Sequence, residues 1–169
     1  MSAFHARIGW AVVLTVLVAD QVSKWWILRL FQDADYPVFE ITPFFNIVLA
    51  WNPGISFGMF GNAGAYGVEI LIGLTALIAV GLAVWLMRAE TRLTALSLGG
   101  IIGGALGNLI DRIRFGAVTD FLDVHVLGYH WPAFNVADSA IVVGAGLIMW
   151  ESLFGGDEPP KNKDQEPNG

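Results

Sequence analysis

The amino-acid sequence contains no cysteine and few charged residues. Without cysteine, the 169-residue chain can form no disulfide, no Cys-ligated zinc site, no iron–sulfur cluster and no thiol nucleophile. Charged residues make up only 14% of the chain, whereas soluble domains contain about 25%, and 55% of the residues are hydrophobic. The net charge of −6 argues against a nucleic-acid partner. This composition indicates a membrane protein.

Four apolar stretches are long enough to cross a bilayer, which takes about 20 mainly apolar residues. They cover residues 8–28, 68–87, 93–110 and 136–153. Because the connections are short, we expect an all-α membrane protein with four transmembrane helices, forming one antiparallel bundle over residues 1–154. The first stretch could instead be a cleaved signal peptide. Its small-residue site at 17–19 is a poor match, however, and the apolar pattern resumes to residue 28, which favours a retained helix.

The distribution of Lys and Arg predicts the orientation of the bundle. The side with both termini holds five such residues, namely Arg7, Arg88, Arg92, Lys161 and Lys163. The other side holds Arg29, Arg112 and Arg114, with Lys24 at its edge. This bias favours cytoplasmic termini and two larger loops that face outward. Residues 155–169 are polar and without aromatics, so we expect a disordered cytoplasmic tail.

The first outward loop, residues 29–67, is unusually apolar. Its β-branched and aromatic residues predict short strands, so the fold should include a small β-rich amphipathic flap outside the cytoplasm. The flap could lie on the membrane, or it could be a sheet packed on the helix ends; patterning alone favours neither. Four glycines, Gly54, Gly58, Gly61 and Gly64, then supply turns or mobility.

Two polar clusters lie near the outward end of the predicted bundle, each with the i, i+3, i+4 spacing of one helix face. They consist of Asp20, Ser23 and Lys24 in the first span, and Asn108, Asp111 and Arg112 in the third. Ionisable groups at membrane depth cost roughly several kcal/mol unless they are paired or hydrated. We therefore interpret both clusters mainly as structural pairs that neutralise one another and join helix ends around a site.

Asp120 and Asp138 bracket the second outward loop. Because antiparallel spans bring their ends together, the 17 residues between them can fold back and let the two carboxylates meet. Two close carboxylates do not both ionise easily, so such a pair supplies a general acid and a general base. Alternatively, the two residues could form a helix cap and a salt bridge to Arg112 or Arg114.

Two other classes of function remain open on these residues alone. A small proton-coupled transporter would use Asp20, Asp111 and Asp138 as a relay, but these acids lie near span ends rather than at mid-membrane. A membrane chaperone or assembly subunit would use the aromatic flap to bind a partner. The histidines, His125 and His130 among them, show no paired spacing, so we expect no metal site.

Five segments resemble, in order, the successive motifs of bacterial lipoprotein signal peptidase, also called signal peptidase II. They lie at residues 20–24 (DQVSK), 52–58 (NPGISFG), 107–112 (GNLIDR), 118–121 (VTDF) and 134–138 (FNVAD). The resemblance extends over residues 8–154. Thr119 stands where Val is common in the family, and the segment between the two aspartates is shorter than in some relatives.

The resemblance implies an intramembrane aspartic endopeptidase of the bacterial inner membrane, with its site near the periplasmic face. Such an enzyme removes the signal peptide from diacylglyceryl-modified prolipoproteins, cutting just before the lipidated Cys. It would need no cofactor, contact membrane lipid, act as a monomer and be a target of globomycin. By motif, Asp120 and Asp138 correspond to the catalytic pair. The residues that would support the site are Asn108, Arg112, Asn135, Asp111, Asp20, Lys24, Asn52 and Gly54.

Overall fold

A computed structural model describes residues 2–32, 38–54 and 66–154 of the chain. It contains four helices, α1 (Ser2–Gln32), α2 (Gly67–Leu86), α3 (Arg92–Phe115) and α4 (Val136–Phe154). All four are long and apolar enough to cross a membrane, which confirms the predicted spans. The predicted tail at 155–169 and the glycines at 58, 61 and 64 lie outside the described residues.

Helices α1 and α3 are longer than the apolar stretches that predicted them. Helix α1 continues past its charged residues because Asp20 and Lys24 pair with each other at 2.9 Å. Helix α3 begins at an N-cap, where the Thr91 side chain accepts a hydrogen bond from the Thr94 amide at 3.0 Å. It ends at Gly116, whose φ of 71° is a left-handed conformation that favours glycine.

Helix α3 is the centre of the bundle, and it packs against each of the other three helices. Its glycines allow this approach. A Cβ atom at Gly99 would collide with the backbone of Gly9 in α1, and one at Gly104 would collide with the backbone of Ala137 in α4. The outer helices instead expose apolar side chains such as Leu77, as expected of surfaces that face lipid.

The two loops on one side of the bundle form a single antiparallel sheet in the order β1-β2-β3-β4. Strands β1 (Val38–Thr42) and β2 (Phe45–Asn52) belong to the first loop, as the sequence pattern predicts. Strands β3 (Val118–Val126) and β4 (Tyr129–His130) come from the second loop, where no strand was predicted.

The sheet contacts the bundle through two strands: β2 packs against α1, and β3 packs against both α1 and α3. This agrees with the second of the two alternatives for the flap, a sheet packed on helix ends. Strand β2 pairs with β3 so that Ala50 lies opposite Asp120 and Asn46 lies opposite Asp123, with a bulge between these two pairs. Strand β3, which carries Asp120, thus contacts both helices that carry the polar clusters.

Candidate active site

Asp120 is a buried carboxylate on β3, with only 2% of its surface exposed. One of its oxygens accepts a hydrogen bond from the side-chain amide of Asn135 at 2.7 Å. The other accepts one from the side-chain amide of Asn52 at 3.0 Å. Both donors are neutral, so the hydrogen bonds orient the carboxylate without an ion pair.

Asp138 is half-buried in the first turn of α4 and is more open to solvent than Asp120. Its side chain accepts hydrogen bonds from Asn108 Nδ2 at 2.8 Å and from the Asn135 amide at 3.2 Å. In return, its own amide donates to Asn135 Oδ1 at 2.9 Å. This reciprocal pair is a capping box at the start of α4.

Asn135 and Asn108 connect the two carboxylates. Asn135 is fully buried and donates to Asp120 while capping the helix that carries Asp138. It also donates to Asn108 Oδ1 at 3.2 Å, and Asn108 in turn donates to Asp138. The structure therefore brings Asp120 and Asp138 together around Asn135, which hydrogen-bonds to both, as their positions at neighbouring span ends predict.

The alternative interpretation of this pair is half correct. Asp138 does take part in a helix cap. However, neither aspartate makes a salt bridge to Arg112 or Arg114, all four of which lie in the described part of the chain.

Burial changes the proton affinity of Asp120. The pKa of Asp120 is raised from 3.8 to about 6, chiefly by burial and in part by the nearby Asp138 carboxylate, and the hydrogen bonds from Asn52 and Asn135 oppose the change. A carboxyl group with a pKa in this range can hold or release a proton near neutral pH, which general acid–base chemistry requires.

Lys24 is the centre of a second buried network. Its ammonium lies 2.9 Å from Asp20 and 3.1 Å from Asp111, and these three side chains are at most 3% exposed. It also donates to Asn108 Oδ1 at 3.0 Å, which connects this network to the first. The predicted pair Asp20–Lys24 is confirmed. Asp111 of the second cluster also pairs with Lys24 rather than with its neighbour Arg112, so the ion pairs join the ends of α1 and α3, as predicted.

The two carboxylates beside Lys24 each hold a backbone amide next to one of the candidate aspartates. Asp20 accepts from the amide of Ala137, the residue before Asp138, at 3.0 Å. Asp111 accepts from the amide of Thr119, the residue before Asp120, also at 3.0 Å. The Lys24 network therefore holds the backbone in place immediately before each of the two candidate aspartates.

Gln21 belongs to the same network but is not among the site residues that the sequence predicts. Its Nε2 atom lies 3.2 Å from carboxylate oxygens of Asp20 and Asp111 and from the Gly107 carbonyl oxygen. The sequence signal that could have identified Gln21 is a polar side chain at membrane depth next to Asp20. Ser23 does not join the charged face, because its hydroxyl donates to the Asp20 backbone carbonyl.

Gly54 hydrogen-bonds to Asn52 and lies close to Arg112. Asn52 Oδ1 accepts from the Gly54 amide at 2.8 Å, and Gly54 has a φ of 79°. A Cβ atom at Gly54 would lie 3.2 Å from Arg112 Nη2, so glycine lets the turn approach the guanidinium. Among the described residues, the buried Nε of Arg112 has no hydrogen-bond partner.

Comparison with known proteins gives one consistent family. The family model described as Signal peptidase (SPase) II matches residues 12–154. The lipoprotein signal peptidase of Rhodopseudomonas palustris is 45% identical over 153 residues, covering 88% of this chain and 93% of that protein. The lipoprotein signal peptidase of Nitrobacter hamburgensis is 45% identical over 152 residues, with the same coverage of both chains.

Structural comparison agrees with the sequence comparison. A solved structure described as a bacterial membrane enzyme superimposes with a TM-score of 0.74 at 29% identity, covering 88% of this chain and 94% of the other. None of these comparisons supports a transporter. The fold, the order of the motifs and the close relatives together show that this chain belongs to the signal peptidase II family.

Proposed function

We propose that this chain is an aspartic endopeptidase that removes signal peptides from diacylglyceryl-modified prolipoproteins, with Asp120 and Asp138 as its catalytic pair. Family membership and the names of its close relatives support lipoprotein signal peptide cleavage. The observation that carries the catalytic assignment is the convergence of two carboxylates, from β3 and α4, on Asn135.

In the proposed reaction, one carboxyl group is protonated and the other is ionised. The ionised group takes a proton from water as the water oxygen attacks the scissile carbonyl carbon, and the protonated group donates its proton to the carbonyl oxygen. When the tetrahedral intermediate collapses, the C–N bond breaks and the leaving amine takes up a proton. We assign no fixed role to either residue, since interacting carboxyls titrate as a pair.

The pair is supported by three neighbouring residues: Asn52 and Gly54 in the first loop, and Arg112 in α3. Arg112 lies against Gly54, and its buried Nε has no acceptor among the described residues. We infer that the guanidinium binds a peptide carbonyl of the substrate. Asn52 orients Asp120, while Asp20, Lys24 and Asp111 hold the backbone beside the pair.

The position of the site suits a lipid-anchored substrate. Both carboxylates lie where membrane-spanning helices end and the sheet begins. Each buried methylene of an acyl chain contributes about 0.8 kcal/mol, so a diacylglyceryl group holds its cysteine at the membrane surface. As a member of a bacterial peptidase family with four spanning helices, the protein belongs to the bacterial inner membrane.

We further propose that the sheet faces the periplasm and that both termini are cytoplasmic, on the distribution of Lys and Arg. A monomer that contacts lipid through its apolar outer helices suffices, because one chain supplies every group of the site. The transporter alternative requires Asp20 and Asp111 as proton carriers, but both are paired with the buried Lys24.

The test of this function uses the purified chain and two forms of one prolipoprotein, with and without the diacylglyceryl group on its cysteine. We expect cleavage of the modified form alone, immediately before the modified cysteine, as measured by mass spectrometry of both products. Equal cleavage of the unmodified form, or a cut elsewhere, would contradict the proposed substrate class.

A further inference from the structure

A polar cluster lies on the sheet, outside the proposed catalytic pair and its support. We call it the sheet cluster; it consists of Asn46 on β2, Asp123 and His125 on β3, and His130 on β4. Side chains alternate between the faces of a strand, so Asp123 and His125 share one face and Asp120 projects to the other. The mechanism proposed above uses none of these four residues.

Asp123 is the centre of the sheet cluster and is 5% exposed. His130 Nδ1 lies 2.9 Å from both of its carboxylate oxygens, and Asn46 Nδ2 donates to it at 2.9 Å. The ring of His125 stacks on that of His130, with centroids 4.7 Å apart and 22° between planes. The ionisable members do not converge as ligands of one metal ion.

The protonation of the pair follows from this geometry. Burial acts to raise the pKa of Asp123, but the hydrogen bonds from His130 and Asn46 outweigh it, and the pKa lies below its usual value. Asp123 is therefore ionised at neutral pH and can only accept hydrogen bonds. It follows that His130 Nδ1 carries a proton and donates a hydrogen bond to Asp123.

The chain that follows His130 runs back along β3 to the site. The Trp131 amide donates to the Val124 carbonyl at 2.8 Å. Two further hydrogen bonds, of 2.8 and 3.1 Å, join Phe134 and Leu122. The next residue is Asn135, which connects Asp120 to Asp138. His130 and Asn135 are therefore the two ends of one paired segment.

We infer that Asp123 and His130 are positioning residues, which hold this segment on β3 so that Asn135 keeps the two catalytic carboxylates in register. The inference rests on the proposed function. A small displacement of the segment would move Asn135, and a misplacement of about 1 Å by a distant change can cost about 100-fold in rate. The expected defect is in kcat, because the sheet cluster does not touch the proposed substrate groups.

The experiment compares two replacements of His130 that differ in where they place an amide donor. In His130→Asn the side-chain nitrogen takes the place of Nδ1, which faces Asp123, whereas in His130→Gln it takes the place of Nε2. We expect His130→Asn to retain kcat within about threefold and His130→Gln to lose about tenfold or more, with KM unchanged in both. Thermal unfolding gives the folded fraction by which each kcat is corrected.

A second variant and a matched control complete the design. Asp123→Asn removes the charge at nearly constant size and should lower kcat as His130→Gln does, and the double variant should fall no further than either. The control is Tyr129→Ala, the neighbour of His130 on β4, which is 88% exposed and should keep the wild-type kcat.

Equal kcat values in His130→Asn and His130→Gln, or a rise in KM with kcat unchanged, would overturn the positioning role. Asp120→Asn is assayed beside them to separate this outcome from failure of the proposed function. If Asp120→Asn is inactive while His130→Gln is fully active, only the positioning role fails. If Asp120→Asn is active, the proposed function fails.

Discussion

At the scale of single residues, the buried charge of Lys24 supports the proposed catalytic pair without contacting it. Its two partners, Asp20 and Asp111, hold the backbone amides that precede Asp138 and Asp120. Breaking one partner of a buried ion pair is strongly destabilising, which makes such a network a rigid support. The two proposed catalytic carboxylates are held mainly by neutral asparagines and so keep the freedom to exchange a proton.

Some of this residue-scale arrangement follows from the sequence and some does not. The pair Asp20–Lys24 is local, since residues four apart on a helix are neighbours, and spacing predicts it correctly. The partner of Asp111 depends on how α1 and α3 are rotated against each other, which spacing does not contain. The same holds for Asn135, whose bridging position depends on strand pairing as well as on helix position.

The pH profile of kcat/KM tests the altered pKa of Asp120. The group is protonated below about pH 6 and ionised above it. If it holds the proton in the free enzyme, activity falls about tenfold per pH unit above that value; if it is the base, activity falls below it. We expect one such limb near pH 6 between pH 4.5 and 8.

An unperturbed histidine titrates near the same pH, at about 6.5, so the profile needs a control. The limb should persist in His130→Asn, which removes one histidine near the site. A profile without an inflection between pH 5 and 7 would contradict the assignment.

At the scale of elements, small residues determine how α3 fits between its neighbours. Gly104 packs on the backbone of α4 at Ala137, the residue that directly precedes Asp138. The distance between α3 and α4 at this point therefore determines where Asp138 lies. The glycine-rich pattern predicts close approach of α3, but it does not say which glycine meets which helix.

Two Gly→Ala variants test this packing. Gly104→Ala places a methyl group against the Ala137 carbonyl and should lower the thermal unfolding midpoint together with activity. In Gly146→Ala, in α4, the new Cβ atom would have no neighbour within 4 Å. This variant should leave the free energy of unfolding unchanged or raise it by about 0.5–1 kcal/mol. Unfolding midpoints in one detergent provide the measurement, and equal midpoints for the two variants would contradict the packing.

The sheet is predictable only in part. Strands β1 and β2 are signalled by β-branched and aromatic residues within one loop. Strand β3 carries the same signal at Val124-His125-Val126, but it also contains Asp120 and Asp123, and two buried aspartates are not typical of a strand. Its partner β2 lies in another loop, so the pairing of Asn46 with Asp123 is a long-range contact that no local pattern reveals.

At the scale of the whole molecule, the membrane-spanning helices and the sheet form a scaffold around the proposed catalytic pair. One end of the four-helix bundle carries the sheet, and the proposed pair lies between them. Composition and span counting are sufficient to predict the membrane bundle, since a chain with 14% charged residues cannot cover a water-facing surface.

Cysteine labelling tests the proposed orientation in the membrane. Because the chain has no native cysteine, only the introduced cysteine can react. Tyr129→Cys lies in the sheet and Glu90→Cys lies between α2 and α3. In intact spheroplasts, a membrane-impermeant maleimide should label the first and should label the second only after lysis. The reverse pattern would contradict periplasmic exposure of the site.

The most direct measurement of the central claim is cleavage of a diacylglyceryl-modified prolipoprotein by Asp120→Asn and by Asp138→Asn, corrected for folded protein. Glu40→Gln, an exposed acid on β1, is the matched control and should cleave at the wild-type rate. We predict that each aspartate variant loses activity by about 1,000-fold or more while remaining folded, because each removes a group needed for proton transfer. Folded Asp120→Asn or Asp138→Asn that still cleaves within a few fold of wild type would contradict the account.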